Sequence, residues 1–220
     1  MSDNFIREID EEVRRDKIAD LWRRYSALIV GVLVLGVAAV GGWRFYEYRQ
    51  QLAAQAQSAQ LETALKASRE QRGEDAEKAL ADIAAGGGSS YALVARFRLA
   101  GEVGRRDASE GSAAFDALAA DAAVPQVLRD LARLRAGALK LDTATYAELR
   151  PSLEPAAANG QPFRHAAREL LGIAALKGRN FDEAGRWFDQ ILADREAPQG
   201  LRQRVDIYLA LVRAGEVEVK

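Results

Sequence analysis

Residues 115–129 read FDALAADAAVPQVLR, and residues 188–202 read FDQILADREAPQGLR. Eight positions coincide at a single displacement of 73 residues: Phe115-Asp116 with Phe188-Asp189, Ala120-Asp121 with Ala193-Asp194, Pro125-Gln126 with Pro198-Gln199, and Leu128-Arg129 with Leu201-Arg202. So many matches at one offset mark an internal repeat. Helix-pair repeats have periods of roughly 34 residues, so this displacement corresponds to two units.

The punctuation of the chain extends the same period in both directions. Gly73, Gly104 and Gly178 are placed to end one helix just before the next begins, whereas Gly86 to Gly88, Pro125, Gly160 with Pro162, and Pro198 separate successive pairs. First helices are expected to begin near residues 53, 90, 126 and 163, with a closing helix near 200. Second helices are expected near 75–85, 110–122, 144–157 and 182–194. No stretch sustains the period-two alternation of Val, Ile and aromatics that a half-buried strand requires. The expected fold is therefore all-α: an N-terminal single transmembrane helix, then a helix-pair solenoid of about four pairs plus a closing helix.

The membrane segment is read from its length and its flanks. No residue from Tyr25 to Trp43 carries a charge, and Ala27 to Val40 contains only Leu, Ile, Val, Ala and Gly. Trp22 and Tyr25 stand at one end and Trp43, Phe45, Tyr46 and Tyr48 at the other, as expected at two membrane–water boundaries. Trp22 to Trp43 spans about 31 Å at the helical rise, close to the hydrocarbon thickness. Arg7, Arg14, Arg15, Lys17, Arg23 and Arg24 precede the span, and only Arg44 and Arg49 follow closely, so the N-terminus is expected in the cytoplasm. The organisation is then 1–24 cytoplasmic, 25–46 an uncleaved signal anchor, and 47–220 a repeat domain on the far side. Gly36-Val37-Ala38 offers a competing signal-peptidase site, but 24 acid-rich residues are long for a signal n-region. Ala27, Gly31, Ala38 and Gly42 share one helix face, where a second membrane helix has room to approach.

Composition narrows the chemistry. The 220 residues carry 31 basic and 32 acidic side chains, a net charge of −1, so no field draws the chain to nucleic acid. With no cysteine and one histidine, thiolate nucleophiles and clusters with metal-ligand spacing are absent from the sequence. Gly86-Gly87-Gly88-Ser89-Ser90 lacks the preceding strand and following Lys of a phosphate loop and reads as a linker. His165 has no second histidine and no Ser or Asp relay near it in sequence, which makes it a structural or surface residue. Asp182-Glu183 fall in the first turn of a helix, where they favour its positive end. No catalytic residue, cofactor or metal is expected.

The fourth pair carries the most specific marks: Leu171-Gly172 in its first helix, then Phe181, Ala184, Phe188 and Leu192 in its second. This pattern resembles the tetratricopeptide repeat, in which Gly172 and Ala184 would let paired helices approach and the two Phe rings would fill the space between pairs. Taken with the anchor that ends Gly41-Gly42-Trp43-Arg44 and the Gln- and Ala-rich helix after it, the layout resembles the YfgM-like family. The resemblance implies an inner-membrane protein with a periplasmic domain that works beside the SecYEG translocon. A membrane-anchored periplasmic chaperone and exported polypeptides are its other implied partners. A scaffold for another envelope assembly, such as cytochrome c maturation or cell-wall machinery, is the alternative, with an enzyme built from residues of distant repeats a distant third. Carried over residue by residue, the family's groove falls on Ala166, Glu169, Ile173, Leu176 and Lys177 of the fourth pair. In the second pair it falls on Ala92, Ala95, Leu99, Glu102 and Val103.

Overall fold

Over the described residues, 2–86 and 90–219 of the computed structural model, every element is an α-helix. They run α1 Ser2–Arg69, α2 Gly73–Ala85, α3 Ser90–Arg106, α4 Ala108–Ala120, α5 Gln126–Lys140, α6 Tyr146–Ala157, α7 Arg164–Lys177, α8 Phe181–Ala193 and α9 Gln199–Val219. Two units are distinguished, Met1–Ala56 and Gln57–Lys220.

The first unit is helix α1 up to Ala56. Between Trp22 and Arg69 this helix has a stretch long and apolar enough to cross a membrane, none of it buried. Leu28, Val32, Leu33, Leu35, Val37 and Val40 are all exposed, as are the flanking Trp22 and Trp43.

The second unit stacks helix pairs. The last turns of α1 pack with α2, then α3 with α4, α5 with α6 and α7 with α8, and α9 closes the array. Four core clusters follow one another along the stack. Ala64, Leu80, Ile83 and Ala95 form one, and Ala100, Phe115, Leu118 and Ala132 belong to the next. Leu149, Leu153, Leu171 and Trp187 belong to a third, and Phe188, Ile191, Leu201 and Val205 to the last. Each cluster joins one pair to its neighbour, which is how short amphipathic helices obtain a continuous core.

Local signals set the helix starts. Asp107 caps α4 by accepting from the amides of Ser109 at 2.8 Å and Glu110 at 3.1 Å. Thr145 and Glu148 form a reciprocal capping box at the start of α6, and Asn180 caps α8. Such caps are worth roughly 1 kcal/mol each.

The helix ends differ from the expectation in three places. α1 runs unbroken to Arg69, so no separate first helix begins near residue 53; nothing between Trp43 and Lys66 interrupts it. Gly73 opens α2, and Gly104 lies inside α3. The α1–α2 turn is instead made by Gln71 at φ 59°, closed by the Arg72 amide donating to the Ala67 carbonyl at 2.9 Å. The α7–α8 turn repeats it: Gly178 ends α7, Arg179 takes φ 57°, and the Asn180 amide donates to Ala175 at 2.9 Å. Both are Schellman-type ends in which an ordinary side chain occupies the left-handed position that glycine usually fills. Gly104 serves a different purpose. A Cβ built on Gly111 of α4 would lie 2.2 Å from the Gly104 Cα, so these two glycines are where α3 and α4 touch backbone to backbone. Gly86 ends α2, whereas Gly87, Gly88 and Ser89 of the expected linker lie outside the described residues.

Candidate interaction surface

The 73-residue repeat turns out to encode the corner between one pair and the next. Phe115 lies 6.1 Å from Phe97, and Phe188 stacks on Tyr208 of α9 at 5.2 Å. On its other side Phe188 fits against Gly172, where an added Cβ would meet the ring at 2.5 Å. Asp121 and Asp194 follow the last turns of α4 and α8, and each accepts from the amide two residues on, at 2.9 and 3.0 Å. Pro125 and Pro198 precede α5 and α9, and their carbonyls take the first helical amides. Arg202 donates to the carbonyls of Ala197, Leu192 and Asp194, satisfying the open end of α8. Its counterpart Arg129 reaches Gln126 instead, leaving its buried Nε without a partner.

The second of these corners also gathers the histidine. Arg164 donates to Asp194 at 2.7 Å and to Glu196 at 2.5 Å, and His165 Nε2 lies 2.9 Å from the same Asp194 carboxylate. Arg168, only 3 % exposed, donates to the Ala157 carbonyl at 2.8 Å and to Asn159 at 2.6 Å. The sequence reading missed this Asp, which stands 29 residues from His165. The Arg164 guanidinium, helped by the Glu196 amide, holds the Asp194 carboxyl well below the usual carboxylate range. Burial pushes the Arg168 guanidinium down. Arg164 pairs with the carboxylate directly and Arg168 stands 3.6 Å from it, so the His–Asp contact serves to tie α7 to the α8–α9 corner.

The groove positions carried over from the family fall into two groups. On α3, Ala92, Ala95 and Glu102 are buried, and Leu99 and Val103 are half-buried. Ala95 and Leu99 pack into the cluster formed with Ala64 and Leu80. Glu102 accepts a 2.5 Å hydrogen bond from Ser68 Oγ, and Arg105 donates to both, at 2.8 Å to Glu102 and 3.1 Å to Ser68. This face of α3 is turned toward α1 and α2. The line of α3 that meets solvent runs through Val94, Arg98 and Arg105, with open space over Gly101. Thirty-seven residues on, half-buried Leu131 and exposed Arg135 and Ala138 take the corresponding places on α5.

On α7, Ala166, Glu169, Ile173 and Leu176 are half-buried and Lys177 is exposed. Ile173 and Leu176 lean on the Phe188 cluster. Glu169 is held by Arg204 of α9 at 2.9 and 3.1 Å, and Lys177 donates to the carbonyls of Leu141 and Asp142. In the first unit Ala38 is exposed, and a Cβ on Gly31 or Gly42 would meet nothing within 4 Å; the Ala27 side chain lies outside the described residues.

Among the described residues no three acidic or imidazole side chains converge to hold a metal ion. Residues 20–212 match the model of the tetratricopeptide repeat-like domain. No curated protein and no solved structure matches the chain.

Proposed function

We propose, because this chain belongs to the tetratricopeptide repeat-like domain family, that it is a protein-interaction module tethered to a bacterial inner membrane, with its repeats in the periplasm. Family membership makes the chain a non-catalytic scaffold that works by binding protein. The tether is the further step, and one observation carries it: a fully exposed apolar stretch of α1 precedes a second unit whose core is complete without it. The six basic residues before that stretch against two after it support a cytoplasmic N-terminus.

The proposed binding surface is the outward line of the first helices. It runs through Val94 and Arg98 on α3, Leu131 and Arg135 on α5, then Ala166 and Ile173 on α7. Short apolar side chains interleaved with arginines suit an apolar segment bearing acidic residues, the kind of chain met during export. The resemblance to the YfgM-like family gives the setting: an ancillary position at the SecYEG translocon, beside a membrane-anchored periplasmic chaperone, acting on newly exported polypeptides. Affinity capture of the full chain from mild-detergent extracts tests this. Translocon subunits should co-purify. Recovery of a cytochrome c maturation or cell-wall complex in their place would assign the scaffold to that assembly and reject the translocon setting.

A further inference from the structure

Helix α9 has two apolar faces, and among the described residues only one of them is covered. Leu201, Val205, Leu209 and Val212 are buried against α8 and α7. On the opposite side Ile207 is 62 % exposed and Leu211 53 %, and Ala210 and Ala214 are exposed with them, at the i, i+3, i+4, i+7 spacing of a single stripe. The 73-residue displacement places Ile207 and Ala210 on Leu134 and Gly137 of α5, Ala214 on Leu141 just after it, and Leu211 on exposed Ala138 at the rim of that face. In α5 that face seats a helix: Leu134 and Leu141 pack on the α6–α7 cluster, and a Cβ on Gly137 would lie 3.0 Å from the Leu153 methyls of α6. Among the described residues no helix covers the same face of α9.

Charge identifies the occupant. Asp206 and Arg213 lie seven residues apart along the same edge of the stripe, both exposed, and neither forms an ion pair among the described residues. We propose that a second copy of this chain docks there, its α9 antiparallel to the first, about a two-fold axis between Leu209 and Ala210. That register sets Asp206 against Arg213 of the second copy at both ends and lays Ile207 beside the second copy's Leu211. A parallel two-fold arrangement would put the Asp206 and Arg213 edges of the two copies on opposite sides of the seam and leave both charges unpaired. The contact is isologous, as two-fold dimers require. One helix face buries less than the roughly 800 Å² per partner of a standard interface, so the dimer needs a high local concentration such as a shared membrane supplies.

The cysteine-free chain makes the test direct. Ala210→Cys in the full-length protein, oxidised mildly in native membranes, should give a disulfide-linked species at twice the 24.0 kDa chain mass. Asp142→Cys, whose side chain is fully exposed at the far end of α5, should not. Asp206→Arg in the Ala210→Cys background should cut the cross-link by at least about fivefold through two like-charge contacts, and Arg213→Asp added to it should restore the yield. Circular dichroism of each variant checks that the helices are retained. An absent cross-link, a yield indifferent to the charge reversal, equal dimer from Asp142→Cys, or a cross-link to another protein would each overturn the antiparallel dimer.

Discussion

Gly111 and Asp194 illustrate how much single residues decide in an array of short helices. A methyl on Gly111 would meet the Gly104 Cα at 2.2 Å and its amide nitrogen at 2.6 Å, both backbone atoms that cannot swing aside. Gly111→Ala should therefore cost about 2 kcal/mol or more in urea unfolding, even after the roughly 1 kcal/mol that alanine gains in a helix. Gly101→Ala, with open space above it, should stabilise by about 0.5–1 kcal/mol. Equal effects at the two sites would refute the backbone contact. Asp194 governs acid behaviour. Its carboxyl is held below the ordinary value by Arg164, so its stabilisation is fully present above a pH of about 4 and is lost as pH falls through the depressed native value. Asp194→Asn should be less stable than the parent at pH 7, and the two should converge as the solution is acidified below pH ~3. A deficit that stays constant with pH would mean that the Arg164–Asp194 pair is not the source.

At the scale of the element, α1 carries the proposed topology. Its uncharged stretch between aromatic belts and its basic asymmetry predict that alkaline phosphatase fused after Lys220 is active and that a cytoplasmic reporter at the same point is silent. The opposite pair of results would invert the proposed topology. The remaining elements were legible to different degrees, for identifiable reasons. The α4–α5 and α8–α9 corners could be read because Asp and Pro act at both, and Arg202 at the second, through local backbone bonds, which impose residue types at fixed spacing. The turn residues Gln71 and Arg179 could not, since a long side chain in the left-handed region leaves no mark in the sequence. The face of α3 was also hidden. Ala92, Ala95, Ala100 and Gly101 place small residues on its buried and open sides alike, so its 3.6-residue period does not separate the face toward α2 from the one toward solvent. The Ser68–Glu102 and His165–Asp194 contacts join residues 34 and 29 apart, and only the folded stack brings them together.

Across the whole molecule, the proposed function divides the work between the two units: the first would fix the chain in a membrane, and the second would offer a line of short apolar and arginine side chains to protein. A weak surface suffices for a tethered module, because tethering replaces free concentration with a local one set by geometry. The most direct test of this claim is site-specific photo-cross-linking in living cells, with the photoreactive residue placed at Val94, at Ile173 and, as a control, at exposed Asp189 on α8. Val94 and Ile173 are predicted to give adducts with translocon subunits or exported polypeptides, and Asp189 to give none. Adducts of equal yield from all three positions, or adducts confined to cytoplasmic proteins, would contradict it.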